Sequence, residues 1–141
     1  MRHKAREFAL QVLYALDLNP IPPHDFMNMF WEIHSPKKEI IDYASHLILG
    51  TLSRRKDIDA LIAEHSNNWK IGRMAVTDRN ILRLGTFELL EEPTVPSKVV
   101  INEAIEIAKK FGSSDSATFV NGILDSIHQK LHPAGKSRHA S

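Results

Sequence analysis

No cysteine occurs among the 141 residues. That absence excludes a disulfide framework, thiolate catalysis and cysteine-built zinc or iron–sulfur sites. No apolar run approaches the ~20 residues that cross a bilayer as a helix. The opening stretch, Met1 to Glu7, lacks the apolar core of a secretion signal. A reducing cytoplasm is the expected compartment. Charge of one sign is not in excess either: the formal net charge is +1. A strongly basic coat protein and a highly charged disordered chain are therefore excluded. Persistent period-2 alternation of β-branched residues is missing, as is any internal repeat, so a sheet is not expected. No Gly-rich phosphate loop and no G-x-S-x-G motif is present.

What is present is ordinary globular composition, 43% hydrophobic and 25% charged, in a length suited to one domain. The small net charge hides an uneven distribution. Residues 1–7 sum to +2 and residues 126–141 to +3, which leaves −4 for the body. Two readings stand: solvated basic tails, or a basic site for a polyanion.

Turn signals divide the chain into helix-sized pieces. From Arg2 to Leu18, an apolar stripe of Ala5, Phe8, Ala9, Val12, Leu13 and Leu16 has helical spacing. Leu10 and Tyr14 fall near the opposite side with His3 and Arg6, as a second apolar patch. Another part of the chain covers that patch, or a partner does. Asn19-Pro20-Ile21-Pro22-Pro23 ends the helix. A short piece from His24 to Ile33 follows. Ser35-Pro36 reads as the start of a helix carrying Ile40, Ile41, Ala44, Leu47, Ile48 and Leu52. Gly50 within it marks close packing or an early end. After Arg54-Arg55-Lys56 comes a helix with Ile58, Leu61, Ile62 and His65, closed by Asn67-Asn68. Trp69, Ile71 and Met74 are expected to plug the core. A helix from Thr77 to Glu91 buries Ile81, Leu82, Gly85 and Leu89 and exposes Asp78, Arg79 and Arg83. Glu92 to Pro96 connects it to a helix capped by Ser97, which runs to Phe111 and stops at Gly112 as a C′ residue. Ser113-Ser114-Asp115 offers an N-cap to a last helix ending before Pro133. The reading is an all-α bundle of six to seven helices, one domain over residues 1–133, with residues 134–141 a disordered basic tail.

Enzyme signals are poor. Glu103 and Glu106 lie on the polar side of an amphipathic helix, which is the place of a solvated face rather than an acid–base pair. His128 and His132 have i, i+4 spacing, yet Gln129 stands where a metalloprotease motif needs Glu. A histidine pair near a helix C-terminus is the better reading, and neither metal nor cofactor is expected. The polyanion signal is stronger. Arg2, Lys4 and Arg6 form one basic group. Lys109, Lys110 and Phe111 end a helix, and Gly112-Ser113-Ser114 brings backbone N–H groups to the start of the next, where phosphate is favoured. Single-stranded RNA is held by aromatic rings beside cations, and Phe111 and Phe119 supply rings unless they are wholly core. Asp115 caps the helix or accepts a bond from a base.

Four ordered segments go beyond periodicity: Arg6-Glu7-Phe8-Ala9-Leu10-Gln11-Val12-Leu13-Tyr14, Asp78 to Leu89 (DRNILRLGTFEL), Pro96 to Gly112 (PSKVVINEAIEIAKKFG) and Phe119-Val120-Asn121-Gly122-Ile123-Leu124-Asp125. Together, over about residues 2–127, they resemble the NusB family of bacterial transcription antitermination factors. The resemblance implies two small helical bundles packed across each other and no enzymatic activity. It implies pairing with NusE, a protein of the small ribosomal subunit. It also implies binding of single-stranded boxA RNA, and joining other Nus factors on RNA polymerase to suppress termination, notably in ribosomal RNA operons. By the same resemblance, Arg2, Lys4, Arg6, Lys110, Phe111, Asp115 and Phe119 fall on the RNA side. Tyr14 and Asp78 fall on the NusE side, and the far-face patch adds Leu10 to them. Some family members self-associate, so a protein-only scaffold or homodimerising module is the competing reading. A small hydrolase would need a pocket of convergent titratable groups. The same helical module opens some ribosomal RNA cytosine methyltransferases, which need a cofactor domain that 141 residues do not hold.

Overall fold

The computed structural model describes residues 1–67, 69–91 and 94–133. The expected basic tail at 134–141, Asn68, and Glu92-Pro93 of the connection lie outside them. The described residues form seven α-helices and one 3₁₀ turn, with no strand among them. They are α1 (Arg2–Leu18), α2 (Pro23–His34), α3 (Lys38–Ser53), α4 (Arg55–Glu64), the turn Ile71–Arg73, α5 (Val76–Leu90), α6 (Ser97–Phe111) and α7 (Ser116–Leu131).

The helices group as the patterning requires. α1 packs on α2 and α3, and α3 on α4. α5, α6 and α7 pack on one another. α5 touches both groups, meeting α1, α3 and α4 on one side and α6 and α7 on the other. One core runs through it, with Leu47, Ile48, Ile58, Ile62, Ile81, Leu82, Leu89, Ile107, Leu124 and Ile127 all but sealed from solvent. α2 is pinned by rings: Phe8 of α1 meets Phe30 edge-on at 5.6 Å and Trp31 at 6.0 Å. Gly50 is the close-packing residue of α3. A Cβ there would fall inside the Phe87 ring of α5, so only glycine lets the two helices approach this closely.

Several local expectations give way. Ser35 does not open α3. It closes α2 in the left-handed region at φ 44°, its N–H donating to Trp31 O at 2.7 Å and its hydroxyl to Glu32 O. α3 begins two residues after Pro36, with Lys37 at its N-cap. Ser97 is the first residue of α6, with Pro96 at the N-cap position. Trp69 does not plug the core but stands 57% exposed, while Met74 is buried.

α5 departs furthest from an amphipathic helix. Every residue from Asn80 to Leu89 is buried. Arg83, expected on the wet side, donates from Nε to Asp59 at 2.8 Å and from Nη1 to Asp17 at 3.1 Å. Arg79 donates to Asp17 at 2.7 Å, and Asn80 at 2.9 Å. Burial raises the Asp17 carboxyl, but these donors outweigh it and hold the group below the usual carboxylate range. A helix between two bundles has no dry and wet side, so its polar groups must be paired inside.

Candidate nucleic-acid and partner interface

The N-terminal cations take three different roles. Arg2 is exposed, its guanidinium 4.3 Å from the centre of the Tyr43 ring. Lys4 is exposed, with Nζ 3.7 Å from Glu7 Oε1. Arg6 is only 4% exposed and is withdrawn from any phosphate. Its Nε and Nη2 donate to the two oxygens of Glu88 on α5, at 2.7 and 2.9 Å. The Tyr43 hydroxyl donates to the same carboxylate at 2.7 Å. Burial lowers the Arg6 guanidinium, yet its bonds to Glu88 win and its pKa is raised. Burial beside the Glu88 charge pushes the Tyr43 phenol up to about 12. The expectation that Arg6 serves RNA is corrected: it is a buried fork holding α1 to α5.

Glu7 gathers the cations that remain. Its carboxylate is buried and accepts from Lys110 Nζ at 3.1 and 3.2 Å, with His3 Nε2 at 3.0 Å. Burial opposes its ionisation, but the Lys110 ammonium and its neighbours hold the carboxyl below the ordinary range. This carboxylate therefore joins the start of α1 to the end of α6. The Lys110 side chain stays 58% exposed, with Nζ 5.4 Å from the Phe111 ring centre. A cation and a half-buried ring thus stand side by side at one helix end.

The α6–α7 corner is held by Ser116, which is buried. Its hydroxyl accepts from the Ser113 N–H at 2.9 Å and donates to Asp78 Oδ1 at 2.6 Å. Gly112 does not end α6 in the left-handed region; its backbone is extended, with φ −98°. Its role is steric. A Cβ there would strike the Ser116 side chain and the Ala108 carbonyl oxygen. Asp115 stands at the N-cap of α7 without a side-chain capping bond and is exposed, so the carboxylate faces outward at the corner. Phe119 lies one turn further along α7, half-buried.

On the expected NusE side, Tyr14 is 40% exposed, but Leu10 is 2% exposed. Leu10 is corrected to core: the neighbouring helices cover that part of the second patch and leave its distal ring uncovered. Asp78 is half-buried, with one oxygen committed to Ser116. The structure thus brings Lys110, Phe111, Asp115, Phe119 and Asp78 around one corner, with Lys4 tied to it through Glu7. It sets Arg2 apart over Tyr43. His128 and His132 lie ring to ring at 5.2 Å near the end of α7.

One feature escapes sequence reasoning. Trp69 meets Phe119 edge-on, 5.9 Å between ring centres, and the two rings line an open cleft of about 390 Å³ with His65 and Ser126. The signal was an indole in a polar stretch between Asn67 and Lys70.

With this geometry in view, the comparisons with known proteins decide the family. A model described as the NusB family matches residues 3–129. The chain belongs to the NusB family. The transcription antitermination protein NusB of Anaeromyxobacter dehalogenans strain 2CP-1 is 47% identical over 134 residues, 94% of each chain. That of Desulfatibacillum aliphaticivorans is 44% identical over 130 residues, 92% of this chain and 91% of the relative. Among solved structures, T. maritima NusB superposes with a TM-score of 0.84 at 35% identity, covering 96% of both chains. A structure of antitermination factors NusB and NusE in complex with double-stranded RNA gives a TM-score of 0.84 at 30% identity, covering 92% of this chain and 96% of that one. NusB proteins are antitermination factors and not enzymes. Among the described residues, no helix is long and apolar enough to cross a membrane.

Proposed function

We propose that this NusB-family chain is an RNA-binding adaptor of the cytoplasm that pairs with NusE. The pair binds single-stranded boxA RNA. It joins other Nus factors on elongating RNA polymerase and suppresses termination, notably in ribosomal RNA operons. The observation that carries the RNA part is the α6–α7 corner. It presents Lys109, Lys110 and Phe111 on a turn already braced by Ser116 and Asp78, so little order remains to be imposed on binding. The partner part rests on Tyr14, a large ring left 40% exposed one turn beyond the buried Leu10 and next to the buried Val12 and Leu13. The solved complex of NusB and NusE with RNA supports both parts through the likeness of this chain to its NusB.

The body of the chain carries a charge of −4 between basic ends, so its own pull on RNA is modest. A basic partner would add the missing charge. The deciding experiment is fluorescence anisotropy of a labelled boxA RNA and a scrambled RNA, with and without NusE, across a salt series. Tighter binding of boxA that NusE strengthens is the expected result. Equal, weak binding to both RNAs that salt abolishes and NusE leaves unchanged would overturn the reading, and self-association of the chain would then be the function to measure.

A further inference from the structure

The cleft beside Trp69 is built rather than incidental. After α4 the chain turns through Asn67 in the left-handed region at φ 44°. The buried Ser66 hydroxyl donates to Trp69 O at 2.9 Å, with Ala63 O as the second acceptor within reach at 3.2 Å, while the Trp69 N–H donates to Ser66 O at 3.0 Å. These bonds set the backbone at Trp69 while the indole stands over half exposed. A large exposed ring held on a braced turn is a feature that burial does not explain.

Two open clefts share Trp69 and Asn67. The first, of about 390 Å³, is walled by Trp69, Phe119, His65 and Ser126. His65 is fixed by an Nδ1 bond to Ser126 Oγ at 2.7 Å. Its Nε2 is buried with no hydrogen-bond partner among the described residues, its nearest acid being Glu64 at 3.9 Å. Glu64 itself is neutralised by Lys130 at 2.6 Å. The second cleft, of about 350 Å³, is lined by Trp69, Asn67, Lys70 and Arg73. Lys70 and Arg73 are exposed, and neither side chain has an ion pair or hydrogen bond among the described residues. Rings and polar groups therefore line one of the clefts that Trp69 shares, and two unspent cations line the other. That is the pairing that holds one nucleotide of a single strand: a base against rings, a phosphate against cations.

We propose that the Trp69–Phe119 cleft, with Lys70 and Arg73 beside it, is a further nucleotide station for single-stranded RNA, adjoining the α6–α7 corner through Phe119 and adding Trp69, Lys70 and Arg73 to it. The base stacks on the exposed Trp69 ring, with Phe119 bracing that ring edge-on and His65 lining the same cleft, and the adjoining phosphate lies on Lys70 and Arg73. Phe119 stands one helical turn, about 5.4 Å, beyond Asp115, so a strand leaving the corner along α7 enters the cleft. The proposal rests on the RNA-binding reading above.

The test uses the chain paired with NusE. Trp31→Phe leaves Trp69 as the only tryptophan, so its emission reports the cleft. Titration with a boxA RNA long enough to pass the corner should quench that emission over the concentrations at which anisotropy shows binding. Trp69→Ala should weaken binding roughly 5- to 100-fold, and Trp69→Phe should restore most of it. Lys70→Ala with Arg73→Ala should lower the magnitude of the log–log salt slope by about 0.7, for the one phosphate the two cations share. These two cations are exposed and have no side-chain partner among the described residues, so that variant reads the station even where a tryptophan substitution disturbs the fold. Binding by anisotropy without quenching, and with an unchanged slope in the double variant, would overturn the station and leave the corner standing. No binding by either readout would overturn both.

Discussion

Arg6→Ala separates the structural role of this residue from the one its charge advertises. The substitution leaves Glu88, which is 3% exposed, with the Tyr43 hydroxyl as its remaining close donor. Two charge-assisted bonds, at 2.7 and 2.9 Å, are lost together. Removing one member of a buried ion pair costs about 3–5 kcal/mol, because the other charge stays desolvated without its counter-ion. For a chain of this size that corresponds to a fall in Tm of roughly 10–20 °C. With a urea m-value of about 2 kcal/mol/M, the midpoint should drop by about 2 M. The salt slope of RNA binding, measured well below the new Tm, should not change. Replacing the whole cluster with apolar residues (Arg6→Met, Tyr43→Phe and Glu88→Leu) should recover most of the loss, since no orphaned charge remains. A stability loss under about 1 kcal/mol, with a salt slope reduced by about 0.7 as for one lost phosphate contact, would refute this account of Arg6.

Three further outcomes follow from other contacts. Ser116→Ala removes both the acceptor of the Ser113 N–H and the donor to Asp78, and should cost about 1–3 kcal/mol in urea unfolding. Gly50→Ala gains up to about 1 kcal/mol of helix propensity but drives its methyl into the buried Phe87 ring, so calorimetry should show a net loss of about 1–3 kcal/mol. Glu7 and Asp17 have lowered pKa values, so the folded state binds fewer of their protons than the unfolded chain does. Their contribution is complete above the unfolded carboxylate range and is lost as pH falls through the lowered folded values. Tyr43 acts in the opposite direction. Its phenol titrates near 12 when folded, so its contribution holds below the unfolded value of ~10 and disappears between there and 12. Urea midpoints against pH should trace both edges, and Glu7→Gln with Asp17→Asn should flatten the acid one.

The legible and illegible parts of this chain divide along one physical line. Helices announce themselves locally, and α1 spans Arg2–Leu18 as its stripe and the following prolines require. α6 likewise ends at Phe111 before Gly112. That Lys110, Phe111 and Asp115 meet at one corner was readable because they lie close together in sequence, across the end of α6 and the start of α7. The misreadings concern long-range pairing. Arg6 looked like a free cation because its partner lies 82 residues away, on a helix whose polar residues were themselves assigned to solvent. That assignment supposed that α5 had a wet face. It has none, and Arg83, Asn80 and Glu88 are held by Asp17 of α1, Asp59 of α4, and Arg6 of α1 with Tyr43 of α3. Leu10 followed the same error: an apolar residue off the main stripe reads as surface only if α1 is covered on one side. Trp69 erred the other way, because an indole after a helix end reads as a plug until the turn that holds it outward is seen. The charges that matter to function are then those the core does not claim. Arg6, Arg79 and Arg83 are spent on tying α5 to its neighbours, whereas Lys70 and Arg73 are left at the surface around the Trp69 ring, and Lys109 answers, among the described residues, only to the exposed Glu106 at 3.5 Å. A count of basic residues cannot make that division, and the buried ion pairs of α5 make it.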